Sequence, residues 1–410
     1  MTNEIKKKIL VLTSSFPQSL TSCDGGGSFV CQLSKRLSVR FKIEVIAPSL
    51  TLKQKPKKIL HDLGVKYIRF LPPSKKIYAY FQDGLFSAFR QSLFLLPFIA
   101  SFIIAQLYRT TLILKKHNIH TIHAHWILPQ GLVAVLAKRL AKNSSIKIVV
   151  TSHGSDINYF NGTLGNYIKS FVLARIDKYT VVSNDLCNTV KKQHNTYPNI
   201  QVIPMGVDTE HFHPNNKTNR ILSHYPGKKY LLVYAGRLTE QKGVTYLIDA
   251  MPAIINEYPE TQLLIIGDGE LREPLRQQIK SHDLLKHVDF LGYVPHKKLN
   301  MYLASSDICI APSINEGFGL VIAEAASSGT IVIGTKHPAI QDIIKDDYSG
   351  FLIPIASSHS ISNKVTYCIR NLSTDKFNQI KINARNHIKE NFGWKAICNQ
   401  YSKVLDPDYS

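Results

Sequence analysis

The sequence predicts an α/β protein built from two doubly wound parallel sheets. Two observations predict it. Short apolar runs recur along the whole chain, each followed by a loop carrying glycine or charge and then by a segment with apolar residues at helical spacing. At 410 residues the chain is also too long for one ordinary core, so two domains of about 200 residues are the natural division. A hydrophobic fraction of 44% belongs to a globular protein rather than a disordered one.

In the first half, strands are expected at 7–13, 41–47, 65–71, 121–124, 147–151, 179–183 and 201–204. Gly25, Gly26 and Gly27 open a helix carrying Phe29, Val30, Leu33 and Leu37, and their lack of a side chain lets backbone approach a ligand closely. They do not spell the dinucleotide fingerprint, which argues against a nicotinamide cofactor. Residues 50–58 read as a basic loop. Residues 84–116 read as a long apolar helix interrupted by Arg90 and Pro97, with a charge-free part, 93–105, too short to span a bilayer. It is either a core helix or an interfacial, acceptor-binding one. His123 and His125 alternate and so share a strand face, but no third ligand is close in sequence and a metal is not expected. His153 ends a strand, where open α/β sheets bind ligands. The following Ser155 and Asp156 can equally be read as a helix cap.

Residues from Met205 to Pro226 read as the linker. Beyond it, strands are expected at 230–235, 263–267, 287–291, 307–312, 331–334 and 350–354. Gly236, Arg237, Lys242 and Gly243 follow the first of these. A forked guanidinium and a point charge framed by glycines suit a diphosphate. Glu316 and Glu324 have seven residues between them, including Gly317, Phe318 and Gly319. Their spacing does not put both on one helix face. Glu316 is expected in the loop at a helix mouth and Glu324 inside the helix, which Gly329 closes in a left-handed conformation. The helix N-terminus offers amides and a positive dipole end to an anion.

The six cysteines, at 23, 31, 187, 309, 368 and 398, form no C-x-x-C pair. That argues against a zinc ribbon or disulfide scaffold and for a reducing compartment. The apolar run 9–12 is too short for a signal-peptide core. The net charge of +21 is unevenly placed: residues 1–205 hold 28 basic and 8 acidic side chains, and the remainder 22 and 21. Such asymmetry suits an anionic partner for the first half, a nucleic acid or a membrane surface. Basic clusters stand at 53–58, 75–76 and 115–116, with the apolar segment 85–108 between the last two.

On these motifs the sequence resembles the retaining glycosyltransferases of family 4, in particular the bacterial enzymes of polysaccharide biosynthesis. The resemblance covers nearly the whole chain. It rests on the N-terminal glycine loop, His-Gly-x-Asp from His153, Val-Ile-Pro-x-Gly-Val-Asp at 202–208, Gly-Arg-Leu-x-x-x-Lys-Gly at 236–243, Gly-x-Gly at 267–269 and Glu-Gly-Phe-Gly-x-x-x-x-Glu at 316–324. It implies the GT-B architecture, two facing Rossmann-like domains. Residues 1–205 would form the acceptor side, joined by a returning helix within 392–410, and residues 206–391 would hold a nucleotide sugar. Arg237 and Lys242 would hold the diphosphate and Glu324 the ribose hydroxyls. Glu316 with the amides of Gly317, Phe318 and Gly319 would hold the sugar and phosphates. His153 would face the sugar near its anomeric carbon, Gly26, Gly27 and Gly236 would border the diphosphate, and the base would stack near Val294. Met205 and Pro338-Ala339 depart from the family pattern, the latter near the donor sugar.

The resemblance further implies front-face attack, in which the leaving phosphate helps deprotonate the acceptor. No cofactor and no metal are expected, because preorganised cations and amides can stabilise the charge on the leaving diphosphate. The Asp406-Pro-Asp408 pair is read as a frayed terminus. The expected acceptor is a lipid-linked glycan for a cell-surface polysaccharide. The expected place is the cytoplasmic side of the inner membrane, with the N-terminal domain on anionic lipid and no nucleic-acid partner. A sugar-nucleotide epimerase on the same fold and a basic nucleic-acid binder are the competing readings; the two glutamates disfavour the first, and the lack of a recognition motif the second.

Overall fold

A computed structural model of the chain describes residues 6–17, 27–49, 58–60, 63–68, 93–158, 160, 162–193 and 199–409. The chain divides into two compact units, Met1–Pro204 with Ile397–Ser410, and Met205–Ala396.

The first unit carries strands β1 (Lys8–Leu12), β2 (Lys42–Pro48), β3 (Lys58–Leu60), β4 (Leu63–Ile68), β5 (Thr121–His125), β6 (Lys147–Ser152), β7 (Lys178–Val181) and β8 (Ile200–Val202), in the order β3-β4-β2-β1-β5-β6-β7-β8. The central strands are apolar runs buried along nearly their whole length, as expected where helices cover both faces. Strand order reverses between β1 and β5, so the loops after these strands flank the point where such sheets bind ligands. One edge departs from the parallel pattern: β3 runs antiparallel to β4, and Lys58, read as the end of a loop, belongs to a strand. The rest of that loop, residues 50–57, lies outside the described residues, as do the basic cluster at 75–76 and residues 84–92 of the long apolar segment.

The described part of that segment is the helix Leu96–Lys116, with Pro97 in its first turn where its missing N–H costs nothing. Its 21 residues make it long and apolar enough to cross a membrane by length and composition, contrary to the length argued from the charge-free stretch alone. Yet Phe98, Phe102, Gln106, Thr110 and Ile113, at three- and four-residue spacing, are buried in the unit. Gln106 Nε2 donates to the carbonyl of Thr13 at 3.1 Å, tying the helix to the loop after β1. The opposite side exposes Ile104 and Tyr108, and Phe94 is exposed in the 3-10 turn Leu93–Leu95 before the helix. The helix is therefore a core element with an uncovered apolar face.

The second unit carries β9 (Tyr230–Ala235), β10 (Thr261–Ile266), β11 (Val288–Gly292), β12 (Ile308–Ala311), β13 (Ile331–Thr335) and β14 (Phe351–Ile353), all parallel, in the order β11-β10-β9-β12-β13-β14. Alternate residues feed opposite cores. Leu232, Leu263, Ile308 and Ile333 pack with Leu247, Met251 and Val365, while Val233, Leu264, Cys309 and Val332 pack with Ile322, Ala323 and Ile388. Here the reversal lies between β9 and β12, so the segments after these two strands, 236–243 and 312–319, meet at one switch point.

The helix Trp394–Leu405 carries the chain from the second unit into the first, where Tyr401 and Leu405 are fully buried. The terminus beyond it is not frayed. Asp406 is buried, Lys7 Nζ donates to Asp406 Oδ1 at 2.6 Å and to Asp408 Oδ2 at 3.1 Å, and the Thr121 hydroxyl donates to the Leu405 carbonyl at 2.8 Å. These carboxylates are spent on a lysine. Cys187, Cys309, Cys368 and Cys398 are free and buried, but Cys31 is disulfide-bonded, a bond that the argument for a reducing compartment did not anticipate.

Candidate active site

Gly243 adopts φ 63°, and a side chain there would meet the Pro312 carbonyl at 2.2 Å. The two switch-point segments of the second unit thus approach as closely as backbone allows, which brings Lys242 against Glu316. Lys242 Nζ donates to Glu316 Oε2 at 2.6 Å, the Ser313 hydroxyl donates to the same oxygen at 3.3 Å, and the Gly317 amide donates to Oε1 at 3.1 Å. Burial alone would raise the Glu316 carboxyl; the charge and hydrogen bond of Lys242, with the Gly317 and Phe318 amides, outweigh it and hold the pKa below the usual carboxylate range. Glu316 is therefore an anion locked to a cation at a helix mouth.

That helix is Leu320–Ser327, with Gly319 at its N-cap in a left-handed conformation, φ 91°. It ends as the sequence indicates. The amide of Gly329, φ 77°, donates to the Ala326 carbonyl and that of Thr330 to the Ala325 carbonyl, a Schellman arrangement. Buried Ala323, Ala325 and Ala326 let it pack closely into the unit, beside the helix Asp375–Asn391. Glu324 lies just over one turn inside and is only 2% exposed. Its Oε1 accepts a hydrogen bond from His296 Nε2 at 2.7 Å. His296 begins the helix His296–Ser305, two residues after Val294, which is half-buried at the end of the β11 loop. Phe318 contributes only backbone, since its ring is buried and meets Phe392 at 5.8 Å. Arg237 is exposed just past β9, its carbonyl accepting from the Tyr234 hydroxyl at 2.8 Å beside Gly236.

In the first unit His153 follows β6. Its Nε2 lies 3.0 Å from Nδ1 of His125 at the end of β5, with the rings stacked at 5.3 Å. Trp126 and Phe29 pack against its ring at 5.0 and 5.5 Å. Asp156 clamps the two strand-end loops: Oδ2 accepts from the Ile127 amide at 2.7 Å and the Ser152 hydroxyl at 2.5 Å, and Oδ1 from the His153 amide at 3.3 Å. His123 Nε2 meets the Thr151 hydroxyl at 2.8 Å. Burial pushes His153 down to about 4 and, helped by the nearby His153, His123 down to about 3; His125, crowded by both, falls well below the usual range. All three rings are neutral at physiological pH. Gly27, φ 75°, caps the helix Ser28–Leu37, and a Cβ there would sit 2.0 Å from the Ser15 carbonyl. Gly26 lies outside the described residues.

Two families match the chain in succession: the one described as Glycosyltransferase Family 4 over residues 23–211, and Glycosyl transferases group 1 over residues 216–387. The chain belongs to glycosyltransferase family 4. Over 270 residues this glycosyltransferase is 27% identical to the GPI3 subunit of phosphatidylinositol N-acetylglucosaminyltransferase from Saccharomyces cerevisiae, a match spanning 64% of this chain and 59% of the relative. The chain thus matches under two-thirds of that relative's length. It is 26% identical over 294 residues to the N-acetyl-alpha-D-glucosaminyl L-malate synthase of Bacillus anthracis, 71% of this chain and 75% of that one. The solved sucrose-phosphate synthase of Thermosynechococcus elongatus superposes with TM-score 0.78 at 19% identity, over 97% of this chain and 98% of that one, and shares the GT-B fold.

Within the glycosyltransferase, Lys242 and Glu316 come together although 74 positions separate them. His296 and Ser313 join the expected residues without having been singled out for a site, and His125 joins them in a different role. No motif marks His296; its place two residues from Val294 was the available signal. His125 was weighed only as a metal ligand, and its real neighbour is His153.

Proposed function

We propose that this glycosyltransferase is a retaining hexosyltransferase that takes its sugar from a nucleoside-diphosphate donor. The observation that carries the reading is the Lys242–Glu316 pair at the mouth of the helix Leu320–Ser327, with buried Glu324 behind it. Arg237, Lys242 and the helix-end amides form a cationic cradle for a diphosphate, and charge that grows on the leaving group meets dipoles already in place. Glu324, an acceptor out of water, suits the vicinal hydroxyls of a ribose. Within the second unit, Gly236 borders the diphosphate and Val294 the base; in the first unit, His153 is proposed to serve the sugar and Gly27 to approach a phosphate. No metal is required, since the cations supply the charge. The test is a thermal-shift screen against nucleotide sugars: a donor at 100 times its dissociation constant adds about 2.7 kcal/mol. No stabilisation by any nucleoside diphosphate would overturn the reading. Turnover with the stabilising donor should survive exhaustive chelation; loss restored by Mn²⁺ or Mg²⁺ would remove the metal-free part.

The acceptor is proposed to be a lipid-linked glycan, presented at an anionic membrane surface in cell-surface polysaccharide assembly. Two features support this: the positive excess of the first 205 residues, and the uncovered apolar face of Leu96–Lys116, which ends in Lys115 and Lys116. Basic residues near anionic lipid contribute roughly 1 kcal/mol each. The GPI3 relative's name carries a phosphatidylinositol acceptor, a lipid as well.

A further inference from the structure

We propose that His125 is the positioning residue that sets the tautomer of His153: its Nδ1–H donates to His153 Nε2, so that His153 presents an Nδ1–H donor to its ligand. The proposal rests on the reading above only in taking that ligand to be the donor sugar.

One proton occupies the 3.0 Å contact between His125 Nδ1 and His153 Nε2, and two placements are open to it. If it sits on His153, then His125 must carry its own proton on Nε2. That nitrogen is buried and meets no hydrogen-bond partner among the described residues. A buried N–H without an acceptor is among the rarest unsatisfied groups in proteins, whereas a bare lone pair is better tolerated. If the proton sits on His125 Nδ1, the nitrogen left alone is a lone pair and the contact is satisfied. His153 then holds its proton on Nδ1, which makes no hydrogen bond with the described residues. His123 does not disturb this choice. Its ring lies tilted against that of His125 at 4.2 Å, and it spends its own Nε2 on Thr151. Nor does a third proton enter, because burial keeps the rings neutral.

The consequence is chemical. The neutral histidine side chain in water favours the Nε2–H form, so His125 reverses the intrinsic preference. With Nδ1 protonated and Nε2 occupied, His153 is a hydrogen-bond donor to a sugar oxygen and has no free lone pair with which to act as a base toward the acceptor. Asp156 fixes the backbone from which the ring projects, through the His153 amide.

The experiment is ring ¹⁵N spectroscopy of the full chain near neutral pH, with the His153 signals assigned by their loss in His153→Asn. The expected spectrum has a protonated Nδ1 and an unprotonated Nε2 at His153. His125→Asn, whose amide nitrogen stands where Nδ1 stood, keeps that pattern; His125→Leu restores the Nε2–H form. A wild-type His153 protonated on Nε2, or a pattern unmoved by His125→Leu, overturns the proposal, and neither reading depends on donor or turnover. In kinetics, His153→Asn, which keeps a donor at the Nδ1 position, should retain roughly tenfold more turnover than His153→Gln, a share of the loss that removal of one charge-stabilising donor brings. The expected tautomer with equal turnover for Asn and Gln would uphold the role of His125 and overturn instead the placing of His153 against the sugar.

Discussion

Glu316 is held by Lys242, Ser313 and backbone amides of its own loop, so the proposed diphosphate would have to compete with a carboxylate already paired. Removing Lys242 therefore has two effects: it deletes a cation from the proposed leaving-group side and leaves a buried anion uncompensated. Lys242→Ala and Arg237→Ala are expected to lower kcat by about 100-fold at saturating donor, because diphosphate contacts strengthen as the bond breaks. Glu324→Ala, which loses a contact equal in ground and transition states, should raise the donor KM and leave kcat nearly intact. An unchanged kcat for Lys242→Ala would contradict this division. The same pair makes a pH prediction. A carboxyl held low when folded contributes stability above its unfolded pKa, and that stability is lost as pH falls through the lower folded value. The difference in unfolding midpoint between wild type and Lys242→Met should be largest near neutrality and shrink below about pH 4, where unfolded glutamate protonates. A difference independent of pH would show that the lysine acts by packing alone.

At the scale of elements, β5 places His123 and His125 in the core and His153 follows β6 half-buried beside them; burial pushes His123 down to about 3 and His153 down to about 4. The unfolded chain binds protons below about pH 6.5 that the folded chain refuses, so stability falls with pH through this window, by at most about 1.4 kcal/mol per pH unit for each ring. His123→Leu should flatten the dependence of the thermal midpoint on pH between 6.5 and 5; parallel slopes would refute it. The helix Leu96–Lys116 makes a second prediction. Its buried face holds the unit together, while Ile104 and Tyr108 are 66% and 62% exposed. Replacing both by Asp should leave the thermal midpoint in place and weaken sedimentation with anionic vesicles at least about tenfold, since each large apolar side chain removed from water contributes about 1.5–3 kcal/mol. Binding in the wild type should also fall with salt. Equal partitioning of wild type to neutral and anionic vesicles, or none to either, would sink the docking idea.

At the scale of the whole molecule, the last 14 residues belong to the first unit although 192 residues of the second unit precede them. Ile397, Tyr401, Val404 and Leu405 are buried there, and Lys7 pairs with Asp406 and Asp408. Four large side chains at about 1.5–3 kcal/mol each approach the entire stability of an ordinary domain. A chain ended at Ala396 should therefore lose the fold of its first unit while the second still melts cooperatively; two intact transitions in calorimetry would show that the returning helix is dispensable.

What the sequence determined by itself was whatever rests on local chemistry. Apolar runs bounded by glycine and charge marked the parallel strands of both sheets, because strands buried on two faces leave no polar alternation to confuse the pattern. Gly329 marked the end of its helix, because few residues other than glycine take the left-handed C′ position without strain. The basic excess of the first half was likewise a matter of counting. Tertiary structure alone decided everything that depends on distant segments meeting. The β3–β4 pairing is antiparallel, which a three-residue strand cannot announce. Asp406 and Asp408 found Lys7 at the other end of the chain, and Lys242 found Glu316 because strand order reverses between β9 and β12. His125, with no hydrogen-bonding group beside it in sequence that explains its burial, acquired His153 because β5 and β6 lie side by side in the sheet. A residue's chemistry is written in its type, but its partner is set by sheet order, and sheet order emerges only when the whole core packs.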